Sequence, residues 1–202
     1  MDETSKVSMQ QAQISPYALA LTPGDRVALK SQRPCCIWLT GLSGAGKSTL
    51  ANALEVQLNR QGLHTSLLDG DNLRRGLCRD LGMDDEARKE NVRRIAEVAR
   101  LMVDAGLIVI VAAISPFRAD RDAARRLFSP DAFVEVYVST PFEVCAERDP
   151  KGLYREARAG RIKNFTGLDS PYEAPLAPEC EINTCEVELS QACDRLAALL
   201  PT

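Results

Sequence analysis

The sequence predicts an α/β protein in which a parallel sheet carries helices on both faces, a three-layer architecture. Apolar runs of about strand length alternate with longer segments of helical period along most of the 202 residues. One run, LIVIVAA at 107–113, contains no polar residue, as is typical of a central parallel strand. A glycine-rich turn, GLSGAGKST at 41–49, separates the first apolar run from the first leucine-periodic segment. These observations together predict one domain built on one sheet.

The first half of the chain supplies two strands and two helices of this pattern. Residues 1–34 are interpreted as an N-terminal extension that is partly disordered, because the chain starts polar and without period. CCIWLT at 35–40 is the first strand, and leucines at helical spacing predict a helix that stops near Gly62. TSLLD at 65–69 is the second strand. A long amphipathic helix is predicted between an N-cap at Asp84 and a stop at Gly106.

The second half continues the alternation and then interrupts it. LIVIVAA is the third strand, a helix is expected at SPFRADRDAARRL, and FVEVYVS at 133–139 is the fourth strand. Pro141 is predicted at the first position of the next helix. CEIN is a weak late strand and EVELSQACDRLAALL a closing helix. Residues 149–178 lack an apolar period and are rich in Gly, Pro, Lys and Arg, so they are predicted to form a mobile lid on a domain spanning 35–202.

Composition excludes several classes of function. A net charge of −3 argues against a nucleic-acid binder or a membrane-surface binder, which are usually basic. The seven cysteines are odd in number and show no CxxC spacing, so we interpret them as small core residues of a protein in the reducing cytoplasm. No segment approaches the roughly 20 apolar residues that span a bilayer. We therefore expect a cytoplasmic protein with neither nucleic-acid nor membrane partners.

The glycine-rich turn matches the nucleotide-binding pattern GxxxxGK[ST] in full, from Gly41 to Ser48. Glycines permit the backbone angles that bring successive N–H groups onto phosphate oxygens. Lys47 is placed to reach the β- and γ-phosphates, and Ser48 to ligate Mg²⁺. Because the pattern follows a predicted strand and opens a predicted helix, a chance match is disfavoured. The sequence therefore predicts a P-loop NTPase fold that holds a nucleoside triphosphate.

Other motifs in the sequence indicate which class of P-loop protein this is, and hence which group receives the γ-phosphate. A regulatory GTPase should carry an Asn-Lys-x-Asp motif, and the sequence contains no Asn-Lys pair. A small-molecule kinase instead needs an acceptor pocket and a lid that excludes water. The predicted lid therefore favours a kinase.

Polar residues suited to an acceptor follow the second strand. Asp69 and Asp71 are placed to orient Mg²⁺-bound water and to accept a proton from an attacking hydroxyl. Asp71 is also a natural N-cap for a helix that begins at Asn72, and both interpretations remain open. The forked guanidinium group of arginine suits sulfate or phosphate oxyanions, so Arg74 and Arg88 are candidates for binding them. Arg88, Asn91 and Arg94 lie at helical spacing on the long helix. Other arginines are interpreted as solvated helix surface: Arg75, Arg93 and Arg100.

Five stretches in this order resemble the adenylylsulfate kinase (APS kinase) family: GLSGAGKST, LDGDNLRRGLCRDLG, RKENVRRIAEVA, ISPFRADR and RDPKGLYREARAGRIKNFTGLDSPYEAP. The resemblance covers about residues 35–200. Enzymes of that family transfer the γ-phosphate of ATP to the 3′-hydroxyl of adenosine 5′-phosphosulfate (APS). The product is 3′-phosphoadenosine 5′-phosphosulfate (PAPS), and the reaction is a step of sulfate assimilation. The resemblance implies ATP and Mg²⁺ as cofactors, APS as substrate and a homodimer, with a sulfate adenylyltransferase as a candidate partner.

The resemblance also implies roles for individual residues. The catalytic set is Lys47, Asp69, Asp71 and Ser115, and the metal ligands are Ser48 and Asp69. ATP is expected at Gly41, Ser43, Gly44, Ala45, Gly46, Lys47, Ser48 and Thr49, with Arg148 over its adenine. APS is expected at Asp71, Asn72, Arg74, Met83, Arg88, Asn91, Ile114, Ser115, Lys151, Asn164 and Phe165.

Three of these residues carry more specific expectations. Phe165 is expected to stack on the APS adenine. Met83 stands where the family usually has Phe, and its thioether can still pack on an aromatic face, with altered affinity. Ser115 has been discussed in the family as a phospho-acceptor, but direct transfer is favoured because an in-line acceptor needs no covalent intermediate.

Two rival functions remain from the residues alone. A different small-molecule P-loop kinase would share the P-loop and the lid but does not account for KNFTGLDSPYEAP. A regulatory module that has lost kinase activity is disfavoured because Lys47, Ser48, Asp69, Asp71 and Arg88 are all present.

Overall fold

A computed structural model describes residues 17–201, and the prediction of disorder for the start of the extension lies outside them. The described strands form one all-parallel sheet in the order β2-β3-β1-β4-β5. These strands are β1 (Cys36–Thr40), β2 (Thr65–Asp69), β3 (Ile108–Ala112), β4 (Phe133–Val138) and β5 (Cys180–Ile182). The predicted parallel sheet is confirmed, and β1, the strand that leads into the P-loop, lies at its centre.

Helices cover both faces of this sheet. They are α1 (Pro23–Lys30), α2 (Lys47–Arg60), α3 (Gly70–Leu73), α4 (Asp85–Asp104), α5 (Arg118–Arg125), α6 (Phe142–Arg148), α7 (Leu153–Arg158) and α8 (Leu189–Ala197), with a 3₁₀ turn at Pro130–Ala132. On one face the leucine stripe of α2, including Leu54, packs in a core with Leu196 of α8. On the other face Ile95 of α4 packs in a core with Trp38 of β1. The predicted three-layer architecture is therefore confirmed.

The helix starts agree with the sequence where a cap residue marks them. The Asp84 side chain accepts a hydrogen bond from the backbone N–H of Ala87 at 2.9 Å, so it caps α4 as predicted. The placement of Pro141 at the first helical position is wrong. Pro141 is the N-cap of α6 with an extended ψ of 146°, and the helix begins at Phe142. The chain turns into helix one residue later than the proline pattern suggested.

The segment predicted as an irregular lid contains regular structure. Helix α7 lies within it, and its start is held by Asp149, whose carboxylate accepts from the backbone N–H groups of Tyr154 and Arg155 at 3.1 Å each. Tyr154 is buried. The helix has only six residues, LYREAR, which is too short for its apolar residues to form a recognisable helical period, so the sequence did not predict it.

The described part of the N-terminal extension is also ordered by specific contacts. A capping box between Thr22 and Asp25 starts α1. The Gln32 amide donates to the backbone carbonyls of His64 and Gly106 at 2.9 Å each, and it accepts from the His64 N–H. These bonds attach the extension to the chain segments that lead into β2 and β3.

The structure also shows where the cysteines lie and how apolar the helices are. Most cysteines are buried, as predicted, whereas Cys185 is exposed. None of the helices between residues 17 and 201 combines the length and the apolar character that crossing a bilayer requires.

Candidate active site

The P-loop, the turn from Gly41 to Ser48, needs its glycines because backbone passes close to them. A Cβ on Gly41 would lie 2.5 Å from the carbonyl oxygen of Val138. A Cβ on Gly44 would lie 2.8 Å from the carbonyl oxygen of Cys145, and both glycines have positive φ. Gly46 is the N-cap of α2 and offers no capping side chain, so within residues 17–201 the first N–H groups of α2 are not capped by a side chain and can receive an anion.

Lys47 lies almost fully buried beneath this turn, with 8% of its surface exposed. Its Nζ donates to the carbonyl oxygens of Gly41 and Leu42 at 2.8 and 2.7 Å. Burial lowers the pKa of Lys47 to about 8, because the charged form loses its hydration. The P-loop carbonyls therefore hold the ammonium group in a position where phosphate oxygens can replace them.

Asp69, at the carboxyl end of β2, joins the P-loop to the acceptor side. Its Oδ2 accepts a hydrogen bond from Ser48 Oγ at 2.6 Å. Its Oδ1 accepts from the backbone N–H groups of Asp71 and Asn72 at 3.1 and 3.2 Å, so Asp69 is the N-cap of α3. The alternative in which Asp71 caps a helix beginning at Asn72 is therefore wrong. A hydroxyl and a carboxylate that meet at this edge are oxygen donors of the kind that Mg²⁺ prefers.

Asp71 is free of any capping role and points its carboxylate at the lid. Lys151 donates to Asp71 Oδ2, and the two side chains are 50% and 63% exposed. Exposed pairs of this kind stabilise a fold by at most about 1 kcal/mol. The contact therefore matters for position rather than for stability, since it brings a lid ammonium group against the candidate catalytic carboxylate.

Arg88, on the first turn of α4, is buried and binds the lid. It donates to the carbonyl oxygens of Met83 and Asn164 and to the hydroxyl of Thr166. Burial lowers its pKa, with the nearby Arg74 guanidinium acting in the same direction. Arg94, which the spacing grouped with it, instead pairs with Asp80 and Glu90 on the surface, so that candidate is wrong.

Phe165 is placed by two residues that the sequence analysis did not select as site residues. The carboxylate of Asp169 accepts the backbone N–H groups of Phe165 and Asn164, and these bonds hold the pKa of Asp169 below its usual value. The Phe165 ring packs edge-on against Tyr154, with centroids 4.9 Å apart. The Tyr154 hydroxyl donates to the P-loop carbonyl of Ser43 at 2.9 Å. Phe165 is thus fixed to the P-loop through Tyr154.

Most predicted site residues line one cavity of about 1110 Å³. It is bordered by Ser43, Gly44, Gly46, Lys47, Ser48, Thr49, Asp71, Arg74, Met83, Arg88, Asn91, Ile114, Ser115, Arg148, Lys151 and Phe165. Five predicted residues do not line it: Gly41, Ala45, Asp69, Asn72 and Asn164. Gly41 and Ala45 are buried and shape the P-loop, Asp69 acts through Ser48, and Asn164 presents its carbonyl to Arg88. Asn72 is exposed on α3, because neighbouring helix positions do not share a face.

The geometry agrees with the comparisons to known proteins. A family model described as Adenylylsulphate kinase matches residues 33–183, which is more than half of the chain. The chain belongs to the adenylylsulfate kinase family. It is 59% identical over 181 residues to the adenylyl-sulfate kinase of Aeromonas salmonicida, covering 90% of this chain and 92% of that protein. It is 54% identical over 189 residues to the bifunctional enzyme NodQ of Azospirillum brasilense, covering 94% of this chain but only 30% of that protein.

A solved member of the adenylylsulfate kinase family has the same fold. The structure of Mycobacterium tuberculosis APS kinase CysC in complex with AMPPNP and APS matches with a TM-score of 0.79 at 44% identity. The match covers 83% of this chain and 98% of that one. That protein was therefore solved with an ATP analogue and a sulfonucleotide together.

At the far end of the cavity, two threonine hydroxyls connect Arg148 to the P-loop in the present protein, and the sequence did not point to them. Arg148 donates to Thr184 Oγ1 at 2.8 Å and lies 3.9 Å from the sulfur of Cys185. Thr184 donates to Thr140 Oγ1 at 2.8 Å, and Thr140 donates to the carbonyl oxygen of Ala45, also at 2.8 Å. Arg148 is thereby linked to the P-loop. Single threonines in loops carry no pattern that would have marked them.

Proposed function

We propose that the protein is an adenylylsulfate kinase, which transfers the γ-phosphate of ATP to the 3′-hydroxyl of adenosine 5′-phosphosulfate to give PAPS. The observation that carries this proposal is that a P-loop faces Asp71, Arg74 and a lid with an aromatic side chain across one cavity. The 44% identity to a kinase solved with AMPPNP and APS supports the same pair of substrates.

ATP and Mg²⁺ fit the P-loop side of the cavity. The free N–H groups at the start of α2 and the Lys47 ammonium group would receive the phosphates. Ser48 and Asp69 would hold Mg²⁺, since their oxygens already meet at 2.6 Å beside the P-loop. The metal would supply charge neutralisation on the phosphate oxygens.

We assign the proton transfer to Asp71. Its carboxylate would accept the proton of the 3′-hydroxyl as the new P–O bond forms, while the bond between the γ-phosphorus and the β-γ bridging oxygen breaks and ADP leaves. Lys47 would neutralise the charge that develops between the β- and γ-phosphates. Lys151, which meets Asp71 in this structure, would turn to the phosphates once they arrive.

Direct transfer needs no phosphorylated enzyme, and the surroundings of Ser115 favour it. The Ser115 hydroxyl accepts from Trp38 Nε1 at 3.0 Å and donates to the carbonyl oxygen of Ala113 at 3.3 Å. The residue is 3% exposed. A hydroxyl held in this way is poorly placed to attack a phosphate, so we assign Ser115 a role in shaping the acceptor side.

The acceptor itself would lie between the lid and the first turns of α3 and α4. Phe165 would stack on the adenine, with the exposed Met83 on the other face. The arginines Arg74 and Arg88, together with Asn91, would receive the phosphosulfate oxygens. The Oδ1 atom of Asn91 is buried and has no hydrogen-bond partner among residues 17–201, which is consistent with a side chain that awaits a ligand.

We also propose a cytoplasmic homodimer with a sulfate adenylyltransferase as a candidate partner. The proposal comes from the family resemblance, and the larger bifunctional relative is consistent with a kinase of this kind operating beside a second activity. Light scattering of the purified protein should give twice the mass of the 22.1 kDa chain. A monomer at micromolar concentration would contradict the dimer.

The decisive experiment is ADP release that depends on APS, with the product identified by mass spectrometry. We expect ADP and PAPS in equal amounts, and no comparable turnover with AMP, CMP or gluconate as acceptor. Preferred turnover of one of those acceptors would make the protein another P-loop kinase. No turnover with any acceptor, in a protein that still binds ATP, would favour a nucleotide-binding module without kinase activity.

A further inference from the structure

The segment 112–116, called here the acceptor wall, forms the side of the cavity next to Asn91 and Val92. One of its residues, Ser115, has a positive φ of 40°, a conformation that a residue with a side chain rarely adopts. Such a conformation persists only where surrounding contacts over-determine it. The wall is therefore held from behind.

Strand β1 supplies two of the contacts that hold the acceptor wall. The indole N–H of Trp38 donates to Ser115 Oγ at 3.0 Å, and Trp38 is fully buried. The hydroxyl of Thr40 donates to the carbonyl oxygen of Ile114 at 2.7 Å. Tyr172, in the lid, is hydrogen-bonded to the same Thr40 hydroxyl at 3.0 Å. None of these three side chains lines the cavity.

Arg121 of α5 supplies the third support and uses its whole fork to do so. Nη1 donates to the carbonyl oxygen of Ser115, and Nη2 donates to the carbonyl oxygen of Glu173, each at 2.7 Å. Nε donates to the buried carboxylate of Glu135 on β4, also at 2.7 Å. Only 2% of Arg121 is exposed, so its charge is balanced inside the protein. The guanidinium joins the wall, the end of the lid and the sheet at one point.

We infer that Trp38 and Arg121 are positioning residues for the acceptor: they fix Ser115 and the acceptor wall in the conformation that receives APS, while the ATP side is held separately. This inference rests on the proposed function. The bonds from β1 and Arg121 reach the Ser115 hydroxyl and the carbonyl oxygens of Ile114, Ser115 and Glu173. The P-loop is held by other side chains, namely Tyr154, Thr140 and Thr184. Loss of a support should therefore affect APS more than ATP.

Trp38→Phe tests the inference, because it removes the N–H and keeps an aromatic ring that can stack on Phe133. We expect KM for APS to rise about three- to tenfold, the effect of losing one ordinary hydrogen bond, and KM for ATP to change less than twofold. In a Ser115→Ala background the same substitution should have no further effect on KM for APS, because the acceptor of that bond is already gone. An equal rise for both substrates, or the same rise in the Ser115→Ala background, would overturn the inference.

Two tyrosines provide a matched pair for the support at Thr40. Tyr172 and Tyr137 stack on each other with centroids 6.1 Å apart, and the Tyr137 hydroxyl has no hydrogen-bond partner within residues 17–201. Tyr172→Phe should raise KM for APS about threefold or more, whereas Tyr137→Phe should leave both KM values within twofold. Arg121→Lys, which keeps the charge but loses the fork, should raise KM for APS by about tenfold or more.

These variants separate the inference from the proposed function. If the wild-type protein lacks turnover that depends on APS, the proposed function fails and the KM ratios have no meaning. If the wild type turns over APS and Trp38→Phe and Arg121→Lys raise both KM values equally, the function stands and the positioning role fails. The thermal midpoint of each variant is measured alongside, since a merely structural role would lower it without separating the two KM values.

Discussion

The buried position of Lys47 makes ATP affinity depend on pH in a window where few other groups titrate. In the free protein the pKa of Lys47 is lowered to about 8 by burial. Bound phosphates favour the ammonium form and raise this pKa again, so ATP binds tightly only to the protonated protein. The affinity is fully present below pH 8 and is lost as the pH rises through 8. For a pKa of about 8, the dissociation constant should rise about tenfold between pH 7 and pH 9.

Calorimetry measures both halves of this prediction. ATP with Mg²⁺ is titrated without APS at several pH values, in two buffers that differ in ionisation enthalpy. The dissociation constant should follow the pH curve, and proton uptake on binding should approach about one per ATP at pH 9. Lys47→Arg serves as a control, because a guanidinium stays charged over the whole range and should give a flat curve.

A second control removes the neighbouring cysteine. Cys185 is exposed and lines the same cavity. Cys185→Ser should leave the tenfold change in ATP affinity intact. A flat dissociation constant in the wild type between pH 7 and pH 9, or the absence of proton uptake at pH 9, would refute the role of Lys47.

Three further predictions concern the acceptor side. Asp71→Asn should lower kcat by about 10²-fold or more with an unchanged thermal midpoint, because Asp69 caps α3; near-wild-type turnover would remove Asp71 from the mechanism. Phe165→Leu, preferred to alanine because Phe165 is 7% exposed, should weaken APS binding about tenfold and ATP binding much less by calorimetry. The exposed neighbour Leu168→Ala should change neither affinity, and equal losses for both ligands in the Phe165 variant would make it lid structure only. Asp169→Asn should weaken APS about threefold or more, since it loosens the turn that presents Phe165, and wild-type affinity would contradict that positioning role.

Much of the fold could be predicted because the three inner strands, β3, β1 and β4, are almost entirely buried. TSLLD at 65–69 matches β2 residue for residue. The strands β1, β4 and β5 differ from their predicted bounds by one residue at one end, and β3 by one residue at each end. Continuous apolar runs of strand length that alternate with segments of helical period have few possible assignments other than buried parallel strands. Asp84 was predictable for a similar reason, since a cap that precedes a strongly periodic helix is a local signal.

The arrangement of the two acceptor-side aspartates could not be predicted from their spacing. Asp69 and Asp71 are separated by one residue, so either could start the short helix that follows. The choice is made by Ser48, a residue 21 positions away, whose hydroxyl fixes the Asp69 carboxylate beside the N–H groups of α3. A contact of that range leaves no trace in the local sequence.

The sequence predicted where the lid lies but not the helix and turns within it. Its order comes from single contacts: Asp149 at the start of α7, Asp169 at the Phe165 turn, and Tyr154 reaching the P-loop. None of these contacts produces an apolar period, which is the signal that identified the strands and longer helices. Segments stabilised mainly by side-chain bonds to backbone read as irregular in sequence.

Arg88 shows how the lid and the acceptor site can depend on one side chain. A guanidinium carries five N–H donors, and Arg88 uses three of its nitrogens on Met83, Asn164 and Thr166. Each terminal nitrogen still has a second N–H, and the residue lines the cavity. Arg88 is therefore able to hold the lid turn and an oxyanion together, which a lysine with its single nitrogen would do poorly. Binding of an anion at Arg88 would add to the contacts that present Phe165, so recognition of the phosphosulfate and of the adenine would support each other.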